Sequence, residues 1–204
     1  MDGIKNLIFD FGGVIINIAR SRCVEAFEQL GVADVGEKIS NSYKSKNLFK
    51  LLEAGLISAE EFRDDVRLLT QQQLDDKQID SAWIKMLDGV APYKLDLLLE
   101  LRKRYNTMLL SNTNVIHWEW AEKNCFSYKG YQASNFFNKI YLSYELHLQK
   151  PDPEIYKYVL QDAAIVPEET LFIDDTTLNC RAAEAFGIHT YMPDPHEDWS
   201  HLFK

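Results

Sequence analysis

Two periodicities alternate along this chain. Short apolar runs that read as buried strands are separated by stretches whose apolar residues recur every three or four positions, the spacing of a helix with one covered face. The first run, Leu7-Ile8-Phe9, ends in Asp10 and continues as Phe11-Gly12-Gly13-Val14-Ile15. A parallel strand buried on both faces is apolar throughout, and packing gives it no use for a carboxylate at its carboxyl end. The two glycines let the backbone turn sharply just beyond. Ligands of open α/β sheets sit at that end of the strands. Asp is also an ordinary turn residue, so this stretch alone leaves both roles open.

Helical spacing follows. Val24, Phe27 and Leu30 mark a helix from Arg20 to Leu30, stopped by Gly31. Further helices are expected over Ile39 to Leu52, over Ala59 to Leu69, and from about Lys77 to Leu87. The second of these opens on Ser58 with Glu61 three residues on, a capping box. Nothing in this block reads as a strand. The pattern predicts a helical cap domain, residues 17–88, inserted into an α/β core made of residues 1–16 and 89–204.

The alternation then resumes. Leu95 to Tyr105 is amphipathic, and Thr107 to Leu110 is a short buried strand ending in Ser111-Asn112-Thr113-Asn114. Phe136 to Ser143 reads as another strand, ahead of Lys150-Pro151. Pro153 to Ala163 is a helix with proline in its first turn. Thr170 to Ile173 is a strand ending in Asp174-Asp175, Asn179 to Phe186 a helix stopped by Gly187, and His189 to Met192 a last strand. The tail from Pro193 to Lys204 reads as surface. Strands alternating with helices imply a parallel, doubly wound, Rossmann-like sheet.

Bulk properties narrow the partners. With 204 residues, 46% hydrophobic and 26% charged, the chain has the make-up of a globular protein that buries about 70% of its unfolded surface. A net charge of −9 argues against nucleic acid or an anionic membrane as partner. It does not exclude an anionic small molecule, because a bound metal ion inverts the local field. Cys23, Cys125 and Cys180 are odd in number and share no metal-ligand spacing, which fits reduced thiols. The first residues lack a basic region followed by an apolar core, and no apolar run reaches transmembrane length. The expectation is a cytoplasmic monomer or homodimer.

Candidate chemistry collects at strand ends. In a parallel sheet the carboxyl ends lie on one edge, so Asp10, Ser111-Asn112 and Asp174-Asp175 converge there, and the loop carrying Lys150 can reach them. Carboxylates, a hydroxyl and an ammonium together suit a divalent cation and a phosphate. Each has a plainer use: Ser111-Asn112-Thr113-Asn114 and Asp174-Asp175 can cap helices, and Lys150 can be a solvated lysine. His117 is taken as structural, and Asn179 as a support for the loop of acidic residues. His147, His196 and His201 are assigned nothing. Trp83, Trp118, Trp120 and Trp199 are taken as packing residues.

At these residues the chain resembles the haloacid dehalogenase-like superfamily of phosphatases and relatives. Its four motifs match in order: Phe9-Asp10-Phe11-Gly12-Gly13-Val14, Leu110-Ser111-Asn112, Lys150-Pro151 and Phe172-Ile173-Asp174-Asp175. Within it the chain is most similar to the bacterial α-D-glucose-1-phosphate phosphatase group. That similarity rests on Leu110-Ser111-Asn112-Thr113-Asn114, His117, Ile140-Tyr141-Leu142-Ser143, Asn179 and Arg22. The resemblance implies that Asp10 is a nucleophile that forms an aspartyl-phosphate. It implies magnesium held by Asp10, the carbonyl of Gly12 and Asp175, with Asp174 as a further or supporting ligand. Ser111, Asn112 and Lys150 would orient the phosphoryl group of a small phosphate ester, a sugar phosphate being favoured.

One departure stands out. Many phosphatases of this superfamily carry a second Asp, the general acid and base, where this chain has Gly12. Positioned proton transfer is worth about 10²–10⁴-fold, so its absence favours an easy leaving group such as the anomeric oxygen of a glycosyl-1-phosphate. The alternatives are a 2-haloacid dehalogenase, which also lacks that Asp but works without the acidic pair, and a binding protein with weak or no turnover. Asn17, Arg20, Arg22, Tyr43, Lys44 and Lys46 are the candidates to face the site from the cap.

Overall fold

The computed structural model describes residues 3–34 and 48–204. Tyr43, Lys44, Lys46 and the first part of the helix expected from Ile39 lie outside the described residues. Five parallel strands make the central sheet: β1 (Asn6–Phe9), β4 (Asn106–Ser111), β5 (Lys139–Leu142), β6 (Thr170–Ile173) and β7 (His189–Tyr191). Their spatial order is β5-β4-β1-β6-β7. The chain therefore winds outward from β1 to one edge, returns to β6 on the other side of β1, and winds outward again. Such a reversal opens a crevice at the strands' carboxyl ends, here between β1 and β6.

Alternation of side chains explains why the central strands are apolar on both faces. Leu7, Phe9, Leu109, Leu171 and Ile173 point into one cluster with Leu95, Leu98, Phe126 and Trp199. Ile8, Met108, Leu110 and Phe172 point into the opposite cluster with Ile155, Tyr156 and Val159. Helices α5 (Pro92–Leu101) and α6 (Val115–Ala121) cover the first face, and α9 (Pro153–Ala163) and α10 (Thr177–Glu184) the second. The remaining short helices of the core are α7 (Ala133–Phe136) and α8 (Ser143–Leu146).

Between β1 and α5 lie α1 (Arg20–Gln29), α2 (Leu48–Glu53), α3 (Ala59–Thr70) and α4 (Asp76–Ile84). They bury a third cluster in which the rings of Phe27, Phe49, Phe62 and Trp83 pack 4.8–6.1 Å apart. The capping box at Ser58 and Glu61 forms as expected, and Asp75 with Gln78 makes another at α4.

Three expectations need correction. The two ends of the helical block do form strands: β2 (Ile16–Ile18) pairs antiparallel with β3 (Leu87–Val90). The strand expected over Phe136 to Ser143 shrinks to β5, because a Gln132–Asn135 capping box starts α7 at Ala133 and holds Phe136 in a helix. The tail is not all surface. Trp199 opens a 3-10 turn (Trp199–Phe203), is 1% exposed, and packs 5.3 Å from Phe9. Among the described residues no helix is long and apolar enough to cross a membrane. All three cysteines are free and buried.

Candidate active site

Asp10 leaves β1 with its backbone N–H donating to the carbonyl of Ile173 at 2.8 Å, so the first and fourth motifs are joined at the crevice. The chain then folds back on itself. The N–H groups of Ile15 and Ile16 both donate to Phe11 O, and that of Gly13 to Ile16 O. Lys94 Nζ and Trp199 Nε1 both donate to the Val14 carbonyl, at 2.6 and 2.9 Å. The sequence marks Trp199 only as a packing residue within a polar tail, and does not mark Lys94, which sits just before the expected helix.

Gly13 is required by this turn. Its φ is +82°, and a Cβ there would lie 2.2 Å from Asp175 Oδ2. A side chain would displace the carboxylate as well as strain the backbone. Gly12 is under no such constraint, with Ile18 the nearest neighbour of an added Cβ at 3.4 Å.

Lys150 lies at the centre of the charged cluster, 2% exposed. Its ammonium donates to Asp10 Oδ1 at 2.7 Å, to Asp174 Oδ2 at 2.7 Å and to Leu110 O at 2.8 Å. Three donors meet three acceptors, so the group is saturated. Burial works against the ammonium, but Asp10 and Asp174 outweigh it and hold its pKa above the ordinary lysine value. Asn112 fixes this lysine from behind. Its Oδ1 accepts from the N–H of Lys150 and its Nδ2 donates to the Lys150 carbonyl, at 2.9 and 2.8 Å.

Asp174 is fully buried and fully used: Oδ1 accepts from Thr176 N and Asn179 Nδ2, and Oδ2 from Lys150 and Asn179 Nδ2. Asp175 is the more exposed of the pair and faces Gly13. Burial raises the Asp10 carboxyl to about 7, Lys150 opposing and Asp174 and Asp175 adding to the rise. Burial and Asp174 also raise Asp175. Ser111 ends β4 at 2% exposure, and its Oγ makes no hydrogen bond among the described residues.

The donor set fits a magnesium ion. One oxygen each from Asp10, Asp174 and Asp175 lie within 4.8 Å of one another, and of these the ammonium of Lys150 pairs with Asp10 and Asp174 only. Hard carboxylate oxygens with an excess of negative charge are what such a cation takes.

The cluster opens into a cavity of about 860 Å³. Asp10, Ser111 and Lys150 line it from the sheet, and Asn17, Arg20 and Glu53 from the helical side. Arg22 does not reach it and pairs with Asp88 instead. Glu53 is a cavity residue that the motif reading missed, since a Glu at a helix end carries no signal. His117 is structural as expected: it is 4% exposed, stacked on Trp83 at 4.5 Å, and its Nε2 lies 3.0 Å from the Trp83 carbonyl. Asn114 Nδ2 contacts its Nδ1 at 3.2 Å, which leaves Nε2 as the protonated nitrogen. Burial pushes its pKa down to about 4.

The chain is similar to several known proteins over nearly its whole length. A haloacid dehalogenase-like hydrolase family model matches residues 4–187. The D-ribitol-5-phosphate phosphatase of Bacteroides thetaiotaomicron is 40% identical over 196 residues, covering 96% of this chain and 95% of the relative. A crystal structure of a haloacid dehalogenase family enzyme from Bacteroides thetaiotaomicron, in complex with magnesium and inorganic phosphate, is 49% identical. It superposes with a TM-score of 0.94 over 98% of this chain and 100% of that one. A haloacid dehalogenase-like hydrolase of Porphyromonas gingivalis is 36% identical, with a TM-score of 0.91 over 98% and 96% of the two chains. A dehalogenase at 18% identity and TM-score 0.53 shares the fold alone. The chain belongs to the haloacid dehalogenase-like hydrolase family.

Proposed function

We propose that the protein is a magnesium-dependent phosphatase of small phosphorylated metabolites, a sugar or polyol phosphate, working in the cytoplasm as a monomer or homodimer. The observation that carries this is the buried Lys150 ammonium bridging Asp10 and Asp174 beneath an open cavity. A relative 40% identical is a D-ribitol-5-phosphate phosphatase, which supports the substrate class.

Asp10 acts as the nucleophile. Its free carboxylate oxygen attacks phosphorus, the bond to the ester oxygen breaks, and an aspartyl-phosphate remains on Asp10. Water then attacks the phosphorus, phosphate leaves and the carboxylate is regenerated. Asp10, the Gly12 carbonyl and Asp175 would hold magnesium, which would supply positive charge to the phosphoryl group when bound. Asp174 holds Lys150 and the loop in place, its lone pairs being already taken by Lys150, Asn179 and Thr176. Lys150 serves by charge and by fixing Asp10, since its three hydrogens are committed. Asn112 works through Lys150, and the free hydroxyl of Ser111 binds a phosphoryl oxygen.

Gly12 leaves the leaving group without the usual acid. D-ribitol 5-phosphate, the substrate in the relative's name, is an open-chain polyol with no anomeric carbon. Easy departure of an anomeric oxygen therefore need not be the compensation. The division into a core of residues 1–16 and 89–204 and a cap of residues 17–88 is part of this reading. It is supported by the separate aromatic cluster of the helical block, and the β2–β3 ribbon straddles both proposed boundaries. A cap would exclude water and select the substrate.

The test is phosphate release from sugar, polyol, nucleotide and acyl phosphates, with magnesium and with a chelator, on the native protein and on Asp10→Asn. Magnesium-dependent release by the native protein alone supports the reading. Halide release from a 2-haloacid under chelation, with no phosphate released, overturns it.

A further inference from the structure

The helical side of the cavity carries a carboxylate that the phosphoryl chemistry leaves unused. Glu53 ends α2 and lines the cavity that also holds Asp10, Ser111 and Lys150. It is partly buried, and its carboxylate makes no hydrogen bond or ion pair with another described residue. The charges nearest to it in effect are Arg20 and Lys50, and Arg20 lines the same wall. The indole N–H of Trp83, also in that wall, is buried and has no hydrogen-bond partner among the described residues. Polar groups removed from water without partners cost free energy, and such exceptions call for a reason.

The backbone around Glu53 is fastened to the sheet side of the cavity. Ser143 Oγ donates to the Glu53 carbonyl at 2.6 Å and accepts from the N–H of Thr113 at 2.9 Å. His147 Nδ1 lies 3.2 Å from the Ala54 carbonyl. Gly55, at φ +67°, sits so close that a Cβ there would lie 2.1 Å from Tyr144 O. Thr113 directly follows Ser111 and Asn112, so the loop that holds the phosphoryl group and the helix end that carries Glu53 are tied through one hydroxyl.

We infer that Glu53 is the specificity-determining acceptor for the substrate's hydroxyl groups, with Arg20 of the same wall as a donor, so that the site reads a hydroxylated carbon chain attached to the phosphate. This rests on the phosphatase reading and names the part of the substrate that the cap recognises. Burial raises the Glu53 carboxyl to about 7 against the pull of Arg20 and Lys50, as is natural for a carboxylate whose partner arrives with the substrate. A hydroxyl hydrogen-bonded to a charged group is worth enough that an analogue lacking it is discriminated against strongly.

The experiment measures kcat/KM on a polyol phosphate, D-ribitol 5-phosphate, and on phenyl phosphate, which has no hydroxyl, for the native protein, Glu53→Gln and Glu53→Ala. The expected result is a loss of about 10²-fold on the polyol phosphate for Glu53→Ala, a smaller loss for Glu53→Gln, and phenyl phosphate turnover within about threefold of native. Binding of the polyol phosphate to Asp10→Asn, with and without Glu53→Ala, should weaken in parallel. Equal loss on both substrates, with the native protein active, overturns the role and makes Glu53 structural. No loss on either overturns it as well. A loss that tracks leaving-group basicity across substituted phenyl phosphates makes Glu53 an acid instead. A native protein inert toward every phosphate ester overturns the phosphatase reading and this one with it.

Discussion

Lys150 and Asp10, 140 positions apart in the chain, meet with Nζ and Oδ1 2.7 Å apart, the lysine side chain 1% and the aspartate 11% exposed. A buried pair of this kind offers little net stability over apolar groups of the same size, but removing one partner strands the other. Here the stranded groups would be two carboxylates, because Asp174 uses the same ammonium.

Replacing Lys150 by Met should therefore destabilise the fold by about 3–5 kcal/mol, read by urea unfolding in a chelator. Turnover should fall by at least about 10²–10³-fold. Magnesium should restore part of the lost stability, since it binds the folded carboxylates. A variant as stable as the native protein would mean that Lys150 does not hold the empty site together.

Gly13→Ala tests the contact between the first and fourth motifs. The left-handed backbone costs alanine about 1–2 kcal/mol, and the new Cβ collides with Asp175 Oδ2. The magnesium concentration for half-maximal activity should rise by about tenfold or more, with a modest drop in melting temperature. An unchanged magnesium requirement would remove Asp175 from the metal set.

Much of this site was readable because its parts are local. Asp10, Ser111 and Asp174 each end a short apolar run, and a parallel sheet brings such ends together whatever the loops do. What stayed hidden depends on distant pairing. The strands β2 and β3 are three and four residues long, too short to show a period, and each is a strand only because the other lies beside it. Trp199 and Lys94, far apart in the chain, converge on the Val14 carbonyl, one from a polar tail and one from the start of a helix. Asn112 was placed in the right loop, yet its amide is engaged with the Lys150 backbone, a detail no spacing could give. Glu53 has meaning only through the cavity it enters.

Asn179 offers a milder probe of the same cluster. Its Nδ2 lies 3.0 and 3.1 Å from the two oxygens of Asp174, while its own Oδ1 is buried without a partner among the described residues. Asn179→Ala should leave the fold intact and weaken magnesium binding by about 10-fold, the usual effect of losing a group that orients a metal site. Titrating activity with magnesium distinguishes this from loss of kcat alone. If saturating magnesium does not bring the variant back near native turnover, Asn179 serves the reaction in some way other than holding Asp174.

His117 gives the chain a pH dependence whose sign follows from its surroundings. Burial lowers its folded pKa to about 4, while the unfolded chain protonates it near pH 6.5. Between these values the unfolded state binds more protons, so stability rises with pH and is lost on acidification from about 6.5 to about 4. The full effect is on the order of 3 kcal/mol at most, from about 1.4 kcal/mol per unit. Glu53 runs the other way, because its raised carboxyl gains stability as pH falls from about 7 towards its ordinary value. The two are separated by comparing urea stabilities at pH 7 and pH 5 for the native protein and for His117→Asn. The variant should be less stable at pH 7, having lost the links to Trp83 and Asn114, but should lose less than the native protein between pH 7 and pH 5. Equal slopes in the two proteins would show that His117 titrates normally, and that its burial against Trp83 is not maintained in solution.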